Sequence, residues 1–129
     1  MSIFSSIFGT SETQKSRSKH SIWIPLETLG QLNEITTLSF EKPVLLFKHS
    51  TRCSISRMAL KEFENDFNLS SKVTPYFLDL LEHRDISNEI TLRFGVVHQS
   101  PQLILIRDGK AVYDTSHSGI EVAALEKQL

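Results

Sequence analysis

Apolar residues are sparse at the start of the chain and then recur in short blocks whose spacing alternates between strand and helix periods. Residues 1–19 are rich in Ser, Thr, Lys and Arg, with only Ile3, Phe4, Ile7 and Phe8 offering apolar surface, so a flexible polar tail is expected there. Those four could line one face of a short helix, but at this length a frayed end is the expectation. From residue 20 the pattern is that of one folded domain, residues 20–129. Ile22, Trp23 and Ile24 suggest a short strand ending at Pro25, and Leu29, Leu32 and Ile35 follow at helical spacing. Pro43 opens Val44, Leu45, Leu46 and Phe47, a continuous apolar run suited to a central strand buried on both faces, closed by a polar loop from Lys48 to Arg52.

Beyond Cys53, the positions Ile55, Ala59, Phe63 and Phe67 recur every four residues and predict one face of a helix that begins at the cysteine. A strand is expected over Val73 to Leu80. A helix through Ile86, Ile90 and Phe94 follows, stopped by Gly95 as a left-handed cap. Leu103 to Ile106 and Ala111 to Tyr113 flank Asp108-Gly109, a strong two-residue hairpin signal, and a helix from about Gly119 to Gln128 closes the chain. A parallel strand-helix-strand half followed by an antiparallel hairpin and a last helix is the thioredoxin-like α/β arrangement: a mixed four- or five-stranded sheet flanked by helices.

At 129 residues one domain is expected. Fourteen Lys plus Arg against 15 Asp plus Glu leave a formal charge of -1, which gives no general drive toward nucleic acid or an anionic membrane. No apolar stretch approaches signal-peptide or transmembrane length, so no integral membrane association is expected, and a reducing cytoplasm is the natural address for a chain with a single Cys. One Cys can close no internal disulfide and build no cysteine-rich zinc site. It reacts with an external partner or is inert.

Position 53 lies between the end of a buried strand and the start of a helix, where unpaired N–H groups and the positive end of the dipole favour an anion. The thiolate is the nucleophile of thiol chemistry, and His49, Arg52 and Arg57 add positive charge nearby in sequence, whereas Lys48 reads as an ordinary solvated rim. A small buried hydrophobe is the commoner fate of a lone Cys, but the polar neighbours Thr51, Arg52, Ser54 and Ser56 favour an exposed, reactive thiol. Ser54 can donate through its N–H and its hydroxyl. Ser56 stands three residues after Cys53, where a dithiol oxidoreductase carries its second Cys, so Cys-Ser-Ile-Ser is a monothiol version of that motif. A serine can hydrogen-bond a thiolate but cannot expel a bound partner as a disulfide, so turnover requires a second, external thiol. The alternative is that Ser56 is a plain first-turn residue.

The segment from Gly95 to Gln102 is the second informative stretch. Pro101 directly precedes a strand, a position that Pro tolerates. Of the five histidines, His20 and His83 read as ordinary terminus or loop residues, while His49, His98 and His117 fall in loops that this fold gathers toward the thiol end of the sheet. No pair of them has metal-ligand spacing, so no metal site is expected.

Three pieces, taken in order, carry a family resemblance: Phe47-Lys-His-Ser-Thr-Arg-Cys-Ser-Ile-Ser, His98-Gln-Ser-Pro-Gln and Asp114-Thr-Ser-His-Ser. Over about residues 20 to 129 the chain resembles the monothiol bacilliredoxins, redox-active proteins of the bacillithiol system. The resemblance implies an oxidoreductase that removes bacillithiol from protein mixed disulfides, with Cys53 as nucleophile and Ser56 as its catalytic companion. It also implies a cis peptide before Pro101 that turns the Ser100 backbone toward the thiol loop. Thr51, Arg52, Ser54, Arg57, His98, Ser100, Pro101 and His117 would contact substrate. The partners would be S-bacillithiolated client proteins, with bacillithiol as co-substrate and no bound cofactor. Bacillithiol joins a cysteine to glucosaminyl malate, and its two carboxylates suit Arg52, Arg57 and His117. The family pattern has Thr-Cys-Pro-Ile-Ser at the thiol, whereas this chain has Arg52 before Cys53 and Ser54 after it. Two other readings compete: a peptide-binding module of the same fold without redox turnover, and a monothiol glutaredoxin-like iron-sulfur carrier, which lacks its Cys-Gly-Phe-Ser signature here.

Overall fold

A computed structural model of the chain describes residues 22–129. The expected polar tail, with Ile3, Phe4, Ile7, Phe8 and His20, lies outside the described residues. Five strands form one sheet in the order β1-β3-β2-β4-β5: β1 (Ile24–Pro25), β2 (Val44–His49), β3 (Thr74–Asp79), β4 (Gln102–Arg107) and β5 (Lys110–Ser116). β1, β3 and β2 run parallel, and β4 and β5 continue the sheet antiparallel. The helices are α1 (Gly30–Leu38), α2 (Ser54–Asp66), α3 (Arg84–Phe94) and α4 (Val122–Glu126), with a 3-10 turn at His117–Gly119 before the last.

Strand alternation sorts the core into two layers. Val44, Leu46, Ile104 and Ile106 pack with Leu32 and Ile35 of α1 and Ile86 and Ile90 of α3. On the other face, Leu45, Phe47, Leu103 and Leu105 pack with Leu60 and Phe63 of α2 and Val122 and Leu125 of α4. Trp23 anchors α2 from below: its ring stacks on Phe63 and Phe67 and meets Phe47 edge-on at 5.6 Å, while its Nε1 donates to Glu64 at 2.6 Å. This aromatic layer fixes the helix that carries the thiol.

The hairpin turn has Asp108 and Gly109 both at positive φ, 54° and 77°, the geometry of the tight turn expected from those two residues. Gly95 caps α3 in the left-handed conformation. Three expectations are corrected. β2 does not end at Phe47: it pairs through Lys48 and His49 with Leu78 and Asp79 of β3, so these two residues are buried strand, not loop. The buried stripe of α2 is Ser56, Leu60 and Phe63, with Ile55 exposed, because a strict four-residue step advances about 40° past a full turn and Ile55 winds off the face. The closing helix starts at Val122, and Gly119 belongs to the separate 3-10 turn.

Candidate active site

The carboxyl end of β2 runs into the loop that delivers Cys53 to α2. Cys53 occupies the N-cap with extended backbone, φ -102° and ψ 119°, and its C=O accepts the first helical bond from Arg57 at 3.0 Å. No side chain caps the helix, and the N-cap is the position from which a side chain meets the free N–H groups of the first turn. A side chain at that position stands at the positive end of the helix dipole. Cys53 is half-buried, flanked by exposed Thr51, Arg52 and Ser54. Arg57 reaches back from α2 to donate to the Thr51 carbonyl at 3.0 Å, so this cation ties the thiol loop to the helix.

Ser56 is fully buried beneath this loop. Its Oγ lies 2.8 Å from Nδ1 of buried His49 and accepts from the Ser50 N–H at 3.1 Å. The hydroxyl is thus engaged by the strand end, and it makes no hydrogen bond to the Cys53 sulfur. Ser56 fastens the loop rather than touching the thiol. Burial pushes the His49 imidazole below its ordinary range; Asp79 pulls it back up and Arg57 adds to the depression. His49 is therefore a strand residue bonded to the thiol helix, not a loop cation.

Pairing of Lys48 with Gln102 brings the start of β4 to the same end of the sheet as the thiol loop. The Ser100–Pro101 peptide is cis, and the Pro101 carbonyl accepts from the His117 N–H at 3.2 Å. His117, at φ 52°, begins the 3-10 turn that packs on α2, so the Asp114-Thr-Ser-His-Ser segment meets both the prolyl loop and the thiol helix. Its imidazole is exposed. Ser100 is half-buried, and its Oγ is shielded from solvent without a hydrogen-bond partner among the described residues. Such orphans are rare and call for a ligand or a water.

The structure takes His98 to the other side. Its Nδ1 lies 2.7 Å from the Lys48 ammonium on the face of the sheet covered by α1 and α3, opposite the thiol helix. Lys48 itself is 1% exposed, which corrects its reading as a solvated rim. Sequence reasoning missed this pairing and also Gln102. The available signal was a Lys and a Gln interrupting two otherwise apolar inward rows. Arg84 was missed as well: with Thr51, Arg52, Asp79, Leu81 and Glu82 it lines an open cavity of about 380 Å³ beside the thiol loop. Two guanidinium groups and two carboxylates give that cavity both signs of charge. Among the described residues no group of His, Cys, Asp and Glu side chains could hold a metal ion, and no helix is long and apolar enough to cross a membrane.

A lone thiol at the N-cap of the helix after a central parallel strand, with a prolyl loop at the same end of the sheet, defines a thioredoxin-fold protein with a redox-type role. Solved structures agree. A candidate oxidoreductase with a thioredoxin fold superposes at a TM-score of 0.71 with 28% identity, over 84% of this chain and 95% of that one. Thioredoxin from Malassezia sympodialis matches at 0.64 and 19% identity, over 81% and 84% of the two chains. Thioredoxin from Trypanosoma brucei brucei matches at 0.66 and 14%, over 82% and 88%. The family is narrower than the fold: residues 24–125 match the model of monothiol bacilliredoxin BrxC, and the chain belongs to that family.

Proposed function

We propose that this protein removes bacillithiol from mixed disulfides on client proteins in the cytoplasm by a monothiol mechanism centred on Cys53. The observation that carries the monothiol reading is the fate of position 56. The residue where a resolving thiol would stand is a serine whose hydroxyl is already bonded to His49 and the Ser50 N–H. The Cys53 thiolate attacks the bacillithiol sulfur of the mixed disulfide. A Cys53–bacillithiol bond forms, the bond to the client breaks, and the client cysteine leaves as a thiolate. No internal sulfur can displace the adduct. The thiolate of a second, free bacillithiol attacks the bound bacillithiol sulfur, leaves as the symmetrical disulfide and returns Cys53 to its thiolate; that second molecule is the reductant, because the first is at the disulfide level both on the client and in the product.

Bacillithiol as the co-substrate is supported by family membership and by the charge around the thiol. Arg52 and Arg57 flank Cys53, Arg52 and Arg84 share the neighbouring cavity, and exposed His117 stands at the prolyl loop. The guanidinium groups suit the malyl carboxylates, and the His117 imidazole offers a further polar contact. An extended client would lie along Ser100, whose unpartnered groups it would satisfy.

The test is incubation of the protein with a bacillithiolated client, following both by intact mass. Wild type should take up one bacillithiol and release reduced client, and Cys53→Ser should stay folded and do neither. Equal reduction by Cys53→Ser, or uptake of glutathione or coenzyme A as readily as bacillithiol, overturns the reading.

A further inference from the structure

Lys48 is buried from solvent, and no carboxylate lies within ion-pair distance of it among the described residues. An ammonium in that setting is costly, and its three donors need acceptors. Two acceptors flank Pro101, His98 in the loop before it and Gln102 at the start of β4. Nζ lies 2.7 Å from His98 Nδ1 and donates to Gln102 Oε1 at 3.1 Å. Gln102 stands directly opposite Lys48 in the β2–β4 ladder. Its Oε1 also accepts from the Gln99 N–H at 3.2 Å, and its Nε2 donates to the Val97 carbonyl at 3.0 Å. Three consecutive loop residues, 97, 98 and 99, are thereby tied to two buried side chains. On the far side the Pro101 carbonyl is held by His117. Ser100, between these anchors, has neither backbone group hydrogen-bonded among the described residues.

The clamp is therefore built around one open position. An apolar residue at 48 would fill the same inward row of β2 as Val44 and Leu46 do, at no cost of burying charge. What the cation adds is the bond to His98 and the orientation of the Gln102 carboxamide. We infer that Lys48 is a positioning residue for client docking: with Gln102 it holds residues 97–99 so that the Ser100 backbone is presented to an extended polypeptide. The inference rests on the reading of this loop as the client-docking edge. Lys48 acts through the loop and has no part in the chemistry at Cys53.

A contact of 2.7 Å between an ammonium and an imidazole nitrogen requires the ring to be neutral and accepting. Burial pushes the His98 titration below the ordinary range, and the charged groups that face it, Lys48 from β2 and Arg84 from α3, push it further in the same direction. His98 thus reports on the clamp.

Lys48→Met keeps the length and removes the charge. For a bacillithiolated client, KM should rise about tenfold with kcat within about twofold. Alkylation of Cys53 by iodoacetamide should be unchanged, and the His98 titration followed by NMR should move up. Gln102→Met cuts both loop bonds from the opposite strand and should raise KM likewise, which keeps the test decisive if Lys48→Met does not fold. An unchanged KM in a folded variant overturns the inference, as does a fall in alkylation rate matching the loss of exchange, since Lys48 would then act on the thiol. If the wild-type protein exchanges with no bacillithiolated client at all, the functional reading fails first and the inference with it.

Discussion

His49 Nδ1 and Ser56 Oγ meet 2.8 Å apart in the interior and join the last residue of β2 to the first turn of α2. The hydroxyl also accepts from the Ser50 N–H, so one side chain closes the loop that presents Cys53. Ser56→Ala leaves buried His49 Nδ1 and the half-buried Ser50 N–H without this bond, and an unsatisfied buried polar group costs about 1–3 kcal/mol. Urea unfolding should show a loss in that range. The loop should loosen with it, seen as faster amide exchange over residues 50–54. A change within error would mean that water replaces the hydroxyl and that the pair does not hold the loop.

Burial of Lys48 has a signature in stability against pH. Desolvation lowers its pKa from 10.5 to about 8. Below pH 8 the amine is protonated in the folded and unfolded chains alike, and folding carries the full cost of burying the charge. Between about 8 and 10.5 the unfolded chain still binds the proton that the folded chain has shed, so this group's contribution makes stability rise with pH. Above that window it is flat. Subtracting the unfolding free energy of Lys48→Met from that of wild type removes the titrations common to both. The difference should shift in favour of wild type across the window, and a constant difference would show that Lys48 titrates alike in both states.

Gly109 sits at φ +77° in the hairpin turn, a conformation that L side chains rarely adopt. A Cβ there would also come within 3.3 Å of the Phe40 ring. Because Phe40 is exposed and its ring can move aside, the backbone conformation is the larger cost. Gly109→Ala should destabilise the fold by about 1–2 kcal/mol in denaturant melts, and Gly109→Asn by less. Exchange at Cys53 should be untouched, because the turn lies at the other end of β4 from Pro101.

The layout of the fold was legible because each element carries its own local signal: the apolar run at Val44–Phe47, the Asp108-Gly109 turn, the Gly95 cap. The thiol at a helix start was legible for the same reason. What the sequence hid was the partner of each polar residue. Lys48 and His49 look like a loop because they are polar, yet β3 and β4 continue to pair beside them and bury them on opposite faces. The acceptor of Lys48 lies 50 residues away at His98, and that of Gly109 lies 70 residues away at Ser39. No local pattern encodes separations of that kind. Ser56 lies in the first turn, as its spacing from Cys53 implies, but its engagement with His49 depends on where the strand ends.

Restoring a thiol at position 56 tests the monothiol logic from the opposite direction. Residues three apart on a helix are surface neighbours, and Cys53 at the N-cap with a Cys at 56 reproduces the spacing at which a dithiol closes. In wild type the bacillithiol adduct on Cys53 persists until a second thiol arrives. In Ser56→Cys the new thiolate attacks the Cys53 sulfur of the adduct, an internal disulfide forms, and bacillithiol leaves reduced. After one exposure to a bacillithiolated client without free thiol, wild type should therefore gain the mass of one bacillithiol, while the variant should carry no adduct and be about 2 mass units lighter. The variant gives up the hydroxyl's bonds to Ser50 and His49, because a thiol is a weak donor and acceptor, so some loss of stability should accompany the change. A folded variant that still accumulates the adduct would show that position 56 does not reach the thiol, and Ser56 would then owe its place to the loop alone.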